Sequence, residues 1–175
     1  MNNTPFIIRE TANGMGQLSQ ETRLFEDRCL YLTEEVTRDN CTELIKSLMI
    51  LDREAPGTPI TLYINSPGGS VTDGLGLYDT IRILKSPVNT VCLGLAASMG
   101  AVLFLAGEER LMLPHAKVMI HDASYGGGDF AGLKPAEIQK KTDDLMETCK
   151  VLRKIVAERT GQDRDFFSGQ IGQGI

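Results

Sequence analysis

Residues 88–107 read VNTVCLGLAASMGAVLFLAG, an uncharged stretch that decides the fold. Its first part, 88–93, reads as a strand, and the rest reads as a buried turn followed by a helix. Ser98 is enclosed by small and apolar residues, where a solvated serine would have polar neighbours. Gly94 and Gly100 permit backbone angles that other residues avoid. We therefore predict a nucleophilic hydroxyl in a tight, dry turn, and the alternative is a serine of a packed helix that bonds to the preceding turn.

Strand-like and helix-like periodicities alternate on both sides of this stretch. The predicted strands cover 28–32, 59–65, 88–93, 110–113 and 117–120. The predicted helices cover 37–52, 71–84 and 134–159. This alternation is typical of an α/β fold with a mainly parallel sheet. Ser98 then lies at the carboxyl end of a parallel strand, where such sheets tend to bind ligands.

The composition fits one domain over residues 1–175. The hydrophobic fraction is 42% and the formal net charge is −5, so the chain can bury a core. Lys and Arg form no basic block, and we expect no nucleic-acid partner. The four cysteines are scattered and there are two histidines, which argues against a zinc site and favours free thiols in a reducing compartment.

The beginning of the chain shows no signal-peptide pattern, so we expect a cytoplasmic protein. The uncharged residues 91–107 are the one candidate for a membrane span. They fall short of the roughly 20 apolar residues that a span requires, and they contain glycines and a serine. We predict no membrane association.

An unaided serine hydroxyl is a poor nucleophile near neutral pH. Ser98 needs an imidazole within hydrogen-bond reach and a carboxylate that orients this imidazole. His121 ends a predicted strand, whereas His115 lies in a turn and fits a surface or structural role. Acyl transfer also needs backbone N–H donors, which the Pro-Gly-Gly loop at 67–69 can supply. Taken alone, the histidine could have a structural role, and the loop could serve only to reverse the chain.

Three ordered motifs together resemble the ClpP family of ATP-dependent serine proteases over most of the chain. They are INSPGG at 64–69, GLAASMGA at 94–101 and MIH at 119–121. The resemblance implies a crotonase-like β/α spiral with a protruding handle helix, in which 125–159 form the handle region. Both implications agree with the alternating pattern and with the long helix predicted above.

By motif position, the resemblance implies that Ser98 is the nucleophile and His121 the general base. The backbone N–H groups of Gly69 and Met99 would form the oxyanion hole. Asp165 matches the family's Arg-Asp-x-Phe-like motif and would complete the triad, although the stretch that precedes this motif is shorter than in the family. Asp163 could take this position instead, or neither aspartate could complete the triad.

The resemblance also implies an assembly of two stacked heptameric rings with the active sites inside. Residues 1–20 would line the axial entrance. An AAA+ unfoldase of the Clp type would dock on the ring and thread unfolded polypeptides into the chamber. The unfoldase would consume the ATP, which agrees with the lack of a Walker motif here, so we expect no cofactor bound by this chain.

Two other functions fit parts of the sequence. A non-catalytic ring scaffold subunit would explain the altered C-terminal region, but it has no chemical need for Ser98 and His121. A crotonase-type acyl-CoA enzyme uses paired backbone N–H donors on a thioester, and it leaves the same two residues unexplained. The sequence therefore favours a serine endopeptidase subunit.

Overall fold

The computed structural model describes residues 6–11, 14–126 and 130–162. The strands are β1 (Ile7–Thr11), β2 (Gly14–Leu18), β3 (Cys29–Leu32), β4 (Ile60–Ser66), β5 (Val88–Ala97), β6 (Arg110–Met112) and β7 (Lys117–Met119). The helices are α1 (Gln20–Glu26), α2 (Arg38–Glu54), α3 (Val71–Ile83), α4 (Met99–Ala106) and α5 (Pro135–Thr160). These elements confirm the predicted α/β fold.

The main sheet is parallel, as predicted. Its strands follow the order β3-β4-β5-β6, and β7 also pairs with β5. β6 pairs with the first part of β5, where Cys92 is opposite Met112, and β7 pairs with the last part, where Ala97 is opposite Met119. The long strand β5 thus pairs with two short strands, one after the other along its length. The end of β7 lies beside the end of β5.

β5 is longer than predicted, since it ends at Ala97 and not at Leu93. The ladder between β4 and β5 is irregular at Asn65, whose Oδ1 accepts a hydrogen bond from the Leu95 N–H at 3.0 Å. A Cβ on Gly94 would lie 2.9 Å from this oxygen. Gly94 therefore leaves room for the amide, and the expectation that it supplies an unusual backbone angle is wrong.

The core includes α4, all eight residues of which are buried. This helix is apolar all round, as expected for a helix that is enclosed by protein. It contacts α3 and α5 as well as β5. The predicted turn and buried helix are confirmed. Over the described ranges, no helix combines the length and the apolar character that crossing a membrane requires.

Most of α5 lies outside the core. Its buried residues begin at Val156, near its C-terminal end, whereas the apolar side chain of Met146 is 58% exposed. The buried end is fixed by Arg159, whose guanidinium donates to the carbonyls of Leu105 at 2.8 Å and Gly107 at 2.7 Å. The helix therefore projects from the domain with apolar side chains uncovered, in agreement with the protruding helix that the resemblance implies.

The N-terminal segment contains an antiparallel hairpin of β1 and β2, in which Ile7 pairs with Leu18. The sequence did not predict this hairpin, because its side chains are largely exposed and show no clear alternation. Ile8 of this hairpin and Phe6 just before it are exposed apolar side chains. Within the predicted axial segment 1–20, residues 1–5 and 12–13 lie outside the described residues.

Hydrogen bonds around the buried Ser86 fasten the end of α2 to the loop before β5. The Ser86 hydroxyl donates to the Ala55 carbonyl at 3.3 Å and accepts from the Gly57 N–H at 3.1 Å. The Ser86 N–H donates to Asp52 Oδ1 at 2.7 Å. Desolvation alone would raise the pKa of Asp52, but the hydrogen bonds from Ser86 and the neighbouring Lys85 lower it below its ordinary value.

We expect the Asp52→Asn variant to be less stable than the wild type above about pH 5, with the difference shrinking in acid. The folded pKa lies below the unfolded one, so the unfolded chain binds more protons between the two values. The stabilisation is therefore complete above the unfolded pKa and is lost as pH falls through the folded pKa. Urea unfolding at several pH values measures this difference. Glu54→Gln, an exposed change in the same helix end, is the control. A difference that stays constant with pH would contradict the assignment.

Candidate active site

Ser98 is the single residue between β5 and α4, with φ 52° and ψ −123°. This left-handed backbone costs of order 1–3 kcal/mol in a residue that has a side chain. The Ser98 N–H donates to the Met119 carbonyl at 2.8 Å, and the Ser98 carbonyl accepts from the Ala101 N–H at 3.0 Å. The hydroxyl makes no cap hydrogen bond. The predicted tight turn is confirmed, and the serine of a packed helix is wrong because Ser98 precedes the helix.

Gly100 does not supply the unusual backbone angle that the sequence suggested. It is a residue of α4 without a positive φ, and a Cβ there would lie 3.0 Å from the Ser66 carbonyl oxygen. Its small size lets the first turn of α4 pack closely against the end of β4. The unusual backbone conformation is instead that of Ser98 itself.

The Pro-Gly-Gly loop lies directly against this turn. Gly68 and Gly69 have φ values of +96° and +147°, which favour glycine. A Cβ on Gly68 would lie 2.6 Å from the Ser98 Cβ and 3.0 Å from the Met99 nitrogen. On its other side the loop is held by Val36, whose N–H donates to the Gly68 carbonyl at 2.7 Å. The loop backbone thus approaches Ser98 closely, as predicted.

Two backbone N–H groups near Ser98 are available to an oxyanion. The Gly68 N–H is occupied, since it donates to Ser66 Oγ at 3.2 Å. Within the described ranges, the N–H groups of Gly69 and Met99 donate to no other group. Met99 also begins α4, where the helix dipole places partial positive charge. Both N–H groups are thus free to donate, and the oxyanion-hole role of Gly69 and Met99 stays a prediction.

His121 follows β7 and lines the same cavity as Ser98. Its Nδ1 lies 2.6 Å from the Asp122 carbonyl oxygen. Because a carbonyl only accepts, the proton belongs on Nδ1, and Nε2 is left to act as a base. In the described part of the chain no hydrogen bond joins His121 to Ser98, and such bonds often tighten only when substrate binds. The cavity lining does not include His115, which is exposed in the turn before β7.

Asp122 and Arg153 line the same cavity, and sequence reasoning missed both. The Arg153 Nε donates to one carboxylate oxygen of Asp122 at 2.9 Å, and its Nη2 donates to the other. One sequence pattern could have identified Arg153. It lies between the apolar residues Leu152 and Val156, and a charged side chain on an apolar helix face needs a partner. The partner lies 31 residues away in sequence, so only the fold identifies it.

The predicted carboxylate of the triad lies outside the described residues. This applies to Asp165 and to the alternative, Asp163. In the described part of the chain, the Asp122 carbonyl is the acceptor for His121 Nδ1. A carbonyl can fix the tautomer of the ring, as a carboxylate does, but it carries no full negative charge to stabilise an imidazolium.

The rest of the cavity wall is apolar. It is formed by Val71, Met99, Val102, Ile120, Ala123, Leu152 and Val156. A wall of this kind accepts an apolar side chain of a ligand. The polar groups of the cavity are therefore concentrated around Ser98 and His121.

The cysteines offer no competing nucleophile in this cavity, because none of them lines it. Burial raises the pKa of the Cys41 thiol to about 11, and the Asp73 carboxylate contributes in the same direction. Burial also raises the pKa of Cys92. Neither thiol is ionised near neutral pH, so both behave as small apolar side chains of the core.

Known proteins resemble this chain along nearly its whole length. The Clp protease family model matches residues 13–172. The "ATP-dependent Clp protease proteolytic subunit 2" of Synechococcus sp. (strain CC9605) is 40% identical over 174 residues, which cover 93% of this chain and 86% of the relative. The protein of the same name from Parasynechococcus marenigrum (strain WH8102) is 39% identical over the same shares. The resemblance that the three motifs indicated is confirmed, and this chain belongs to the Clp protease family.

Proposed function

We propose that this chain is the proteolytic subunit of an ATP-dependent Clp-type protease, a serine endopeptidase that cleaves unfolded polypeptides into short peptides. The observation that carries the proposal is the Ser98 turn. A strained serine stands at a strand-to-helix junction, with the Gly68 backbone against it and His121 on the same cavity wall. Membership of the Clp protease family supports peptidase chemistry.

In the proposed reaction, Ser98 Oγ attacks the carbonyl carbon of the peptide bond while its proton passes to His121 Nε2. The Asp122 carbonyl keeps the other ring proton on Nδ1. The N–H groups of Gly69 and Met99 stabilise the negative charge on the substrate oxygen. When the intermediate collapses, the C–N bond breaks and the leaving amine takes the proton from His121. Water then attacks the acyl-enzyme, again through His121, and releases the peptide acid and Ser98.

Asp165 is the proposed third member of the triad, with Asp163 as the alternative. A carboxylate beside the imidazole would stabilise its charged form during proton transfer. The apolar wall favours substrates with an apolar side chain before the cleaved bond, because that side chain leaves water for an apolar surface. Binding through backbone groups and one apolar subsite would give little sequence selectivity.

Ring assembly and an unfoldase partner belong to the same proposal. Large apolar side chains are exposed on several elements, for example Ile83 at 81% and Leu111 at 61%, and such surfaces favour self-association. We propose stacked heptameric rings, with residues 1–20 at the axial entrance. The relatives are named as ATP-dependent, which supports an AAA+ unfoldase of the Clp type that uses the ATP, so that this chain itself needs no cofactor. All four cysteines are unpaired, which fits a cytoplasmic location.

Intact-mass analysis after incubation with a small fluorophosphonate tests the proposed chemistry. This reagent reacts with activated serine hydroxyls, so we expect one adduct per chain, mapped to Ser98. Ser98→Ala should carry none, whereas Ser124→Ala, which changes an exposed serine close to His121, should react like the wild type. An assembled wild-type ring without an adduct would contradict the proposal and favour the non-catalytic ring subunit. Thioester hydrolysis without peptide cleavage would favour the acyl-CoA enzyme.

A further inference from the structure

The segment that carries His121 is not held by the sheet. The pairing of β7 with β5 ends at Met119, and residues 120–126 belong to no strand or helix. The hydrogen bond from the Ser98 N–H to the Met119 carbonyl is the last backbone contact described before the histidine. A general base must be held close to its productive geometry, within about 0.5 Å. Side chains beyond Met119 must therefore position the ring.

The strongest of these contacts comes from Arg153 on α5. Its guanidinium binds both carboxylate oxygens of Asp122, and the two side chains are only 35% and 28% exposed. Two-point, charge-assisted pairs fix the orientation of both partners, and partial burial reduces screening by water. The other side-chain hydrogen bonds described between this segment and α5 involve no ionised group. Cys149 Sγ lies 3.8 Å from the Ala123 carbonyl oxygen, and the Tyr125 hydroxyl, four residues beyond His121, donates to the Lys141 carbonyl at 3.0 Å.

The helix that carries Arg153 is fixed near its C-terminal end. About one and two-thirds turns further along α5, Arg159 donates to the carbonyls of Leu105 and Gly107, at and just after the end of α4. The N-terminal end of α4 follows Ser98 directly. The helix that carries Arg153 is thus tied to the helix that follows the nucleophile, and Arg153 connects this unit to the histidine segment.

Asp122 joins the ion pair to the histidine ring. Its side chain is bound by Arg153, and its carbonyl oxygen lies 2.6 Å from His121 Nδ1. Rotation of Asp122 would move the carbonyl and release the Nδ1 proton. We propose that Arg153 is a positioning residue that acts through Asp122 and holds His121 in the Nδ1–H tautomer, with Nε2 free to act as a base. The effect on catalysis rests on the proposed function, whereas the effect on the tautomer does not.

The tautomer of His121 is measurable by NMR on protein labelled with ¹³C and ¹⁵N in its histidines, with His115→Gln to assign the two signals. We expect the Nδ1–H tautomer in the wild type and its loss in Arg153→Gln. Arg153→Lys keeps the charge but not the planar fork, so it should retain the tautomer in part. Lys154→Gln removes an exposed charge from the next residue and should change nothing. An unchanged tautomer in Arg153→Gln would overturn the proposal.

The fluorophosphonate labelling rate at Ser98 reports the consequence for catalysis. Arg153→Gln and Asp122→Asn should each slow labelling by about 10- to 100-fold, and the double variant should be no slower than the slower single variant. Effects that multiply would overturn the route through Asp122. A wild type that takes no label would refute the proposed function, while the tautomer measurement would still decide the role of Arg153. Melting curves identify a variant that fails to fold, and Arg153→Lys then carries both measurements.

Discussion

Replacing His121 with glutamine should lower kcat for a short fluorogenic peptide by at least about 10⁴-fold. Glutamine occupies similar space and can form hydrogen bonds, but it cannot take the proton from Ser98 near neutral pH. The same change removes the group that returns this proton to the leaving amine, so both halves of the reaction lose their proton carrier. The oxyanion donors and the apolar wall remain, and they account for the residual activity.

His115→Gln is the matched control, since it makes the same chemical change at the other histidine. His115 is exposed and lies outside the cavity, so its replacement should leave kcat within about twofold and change the free energy of unfolding by less than about 0.5 kcal/mol. Full activity in His121→Gln would show that another group acts as the base. Equal losses in both variants would indicate damage to the fold.

The fold was predictable where local pattern and tertiary structure agree. The apolar run around Ser98 has too few residues for a membrane span and too little charge for a surface helix, so a buried strand, turn and helix remained. β5 was predicted too short because residues 94–97, a glycine and two alanines around one leucine, resemble a turn by composition. They continue the strand because β7 pairs with 95–97 and Ser66 of β4 pairs with Ala96, and such pairing depends on residues distant in sequence.

The candidate site was predictable as far as short motifs reach. Ser98, His121 and the loop at 67–69 each follow a predicted strand, and the carboxyl ends of neighbouring parallel strands lie at one sheet edge. The pairing of Arg153 with Asp122 was not predictable, because it joins a projecting helix to a segment without regular structure. Sequence spacing does not tell which of several acidic residues a positively charged helix residue will contact.

Gly68→Ala should have the largest effect of any single methyl addition near the site. The new carbon would lie 2.6 Å from the Ser98 Cβ and 2.7 Å from the Ala97 carbonyl oxygen, at a residue with φ +96°. Neither neighbour can move freely, because Ser98 is already strained and Ala97 is paired with Met119. We expect labelling at Ser98 to slow by about 10²- to 10³-fold as the oxyanion donors shift. The free energy of unfolding should fall by about 2–5 kcal/mol.

Gly76→Ala separates this local clash from the general effect of adding a methyl group. Gly76 is exposed on α3, and a Cβ there meets nothing within 4 Å. It should raise the free energy of unfolding by about 0.5–1 kcal/mol and leave labelling unchanged. Urea unfolding and the labelling rate are measured on both variants. If folded Gly68→Ala labels at the wild-type rate, the loop does not set the oxyanion geometry, and Gly69 loses its assigned role. If labelling slows in the folded protein, the close approach of this loop to Ser98 is required for the chemistry as well as for stability.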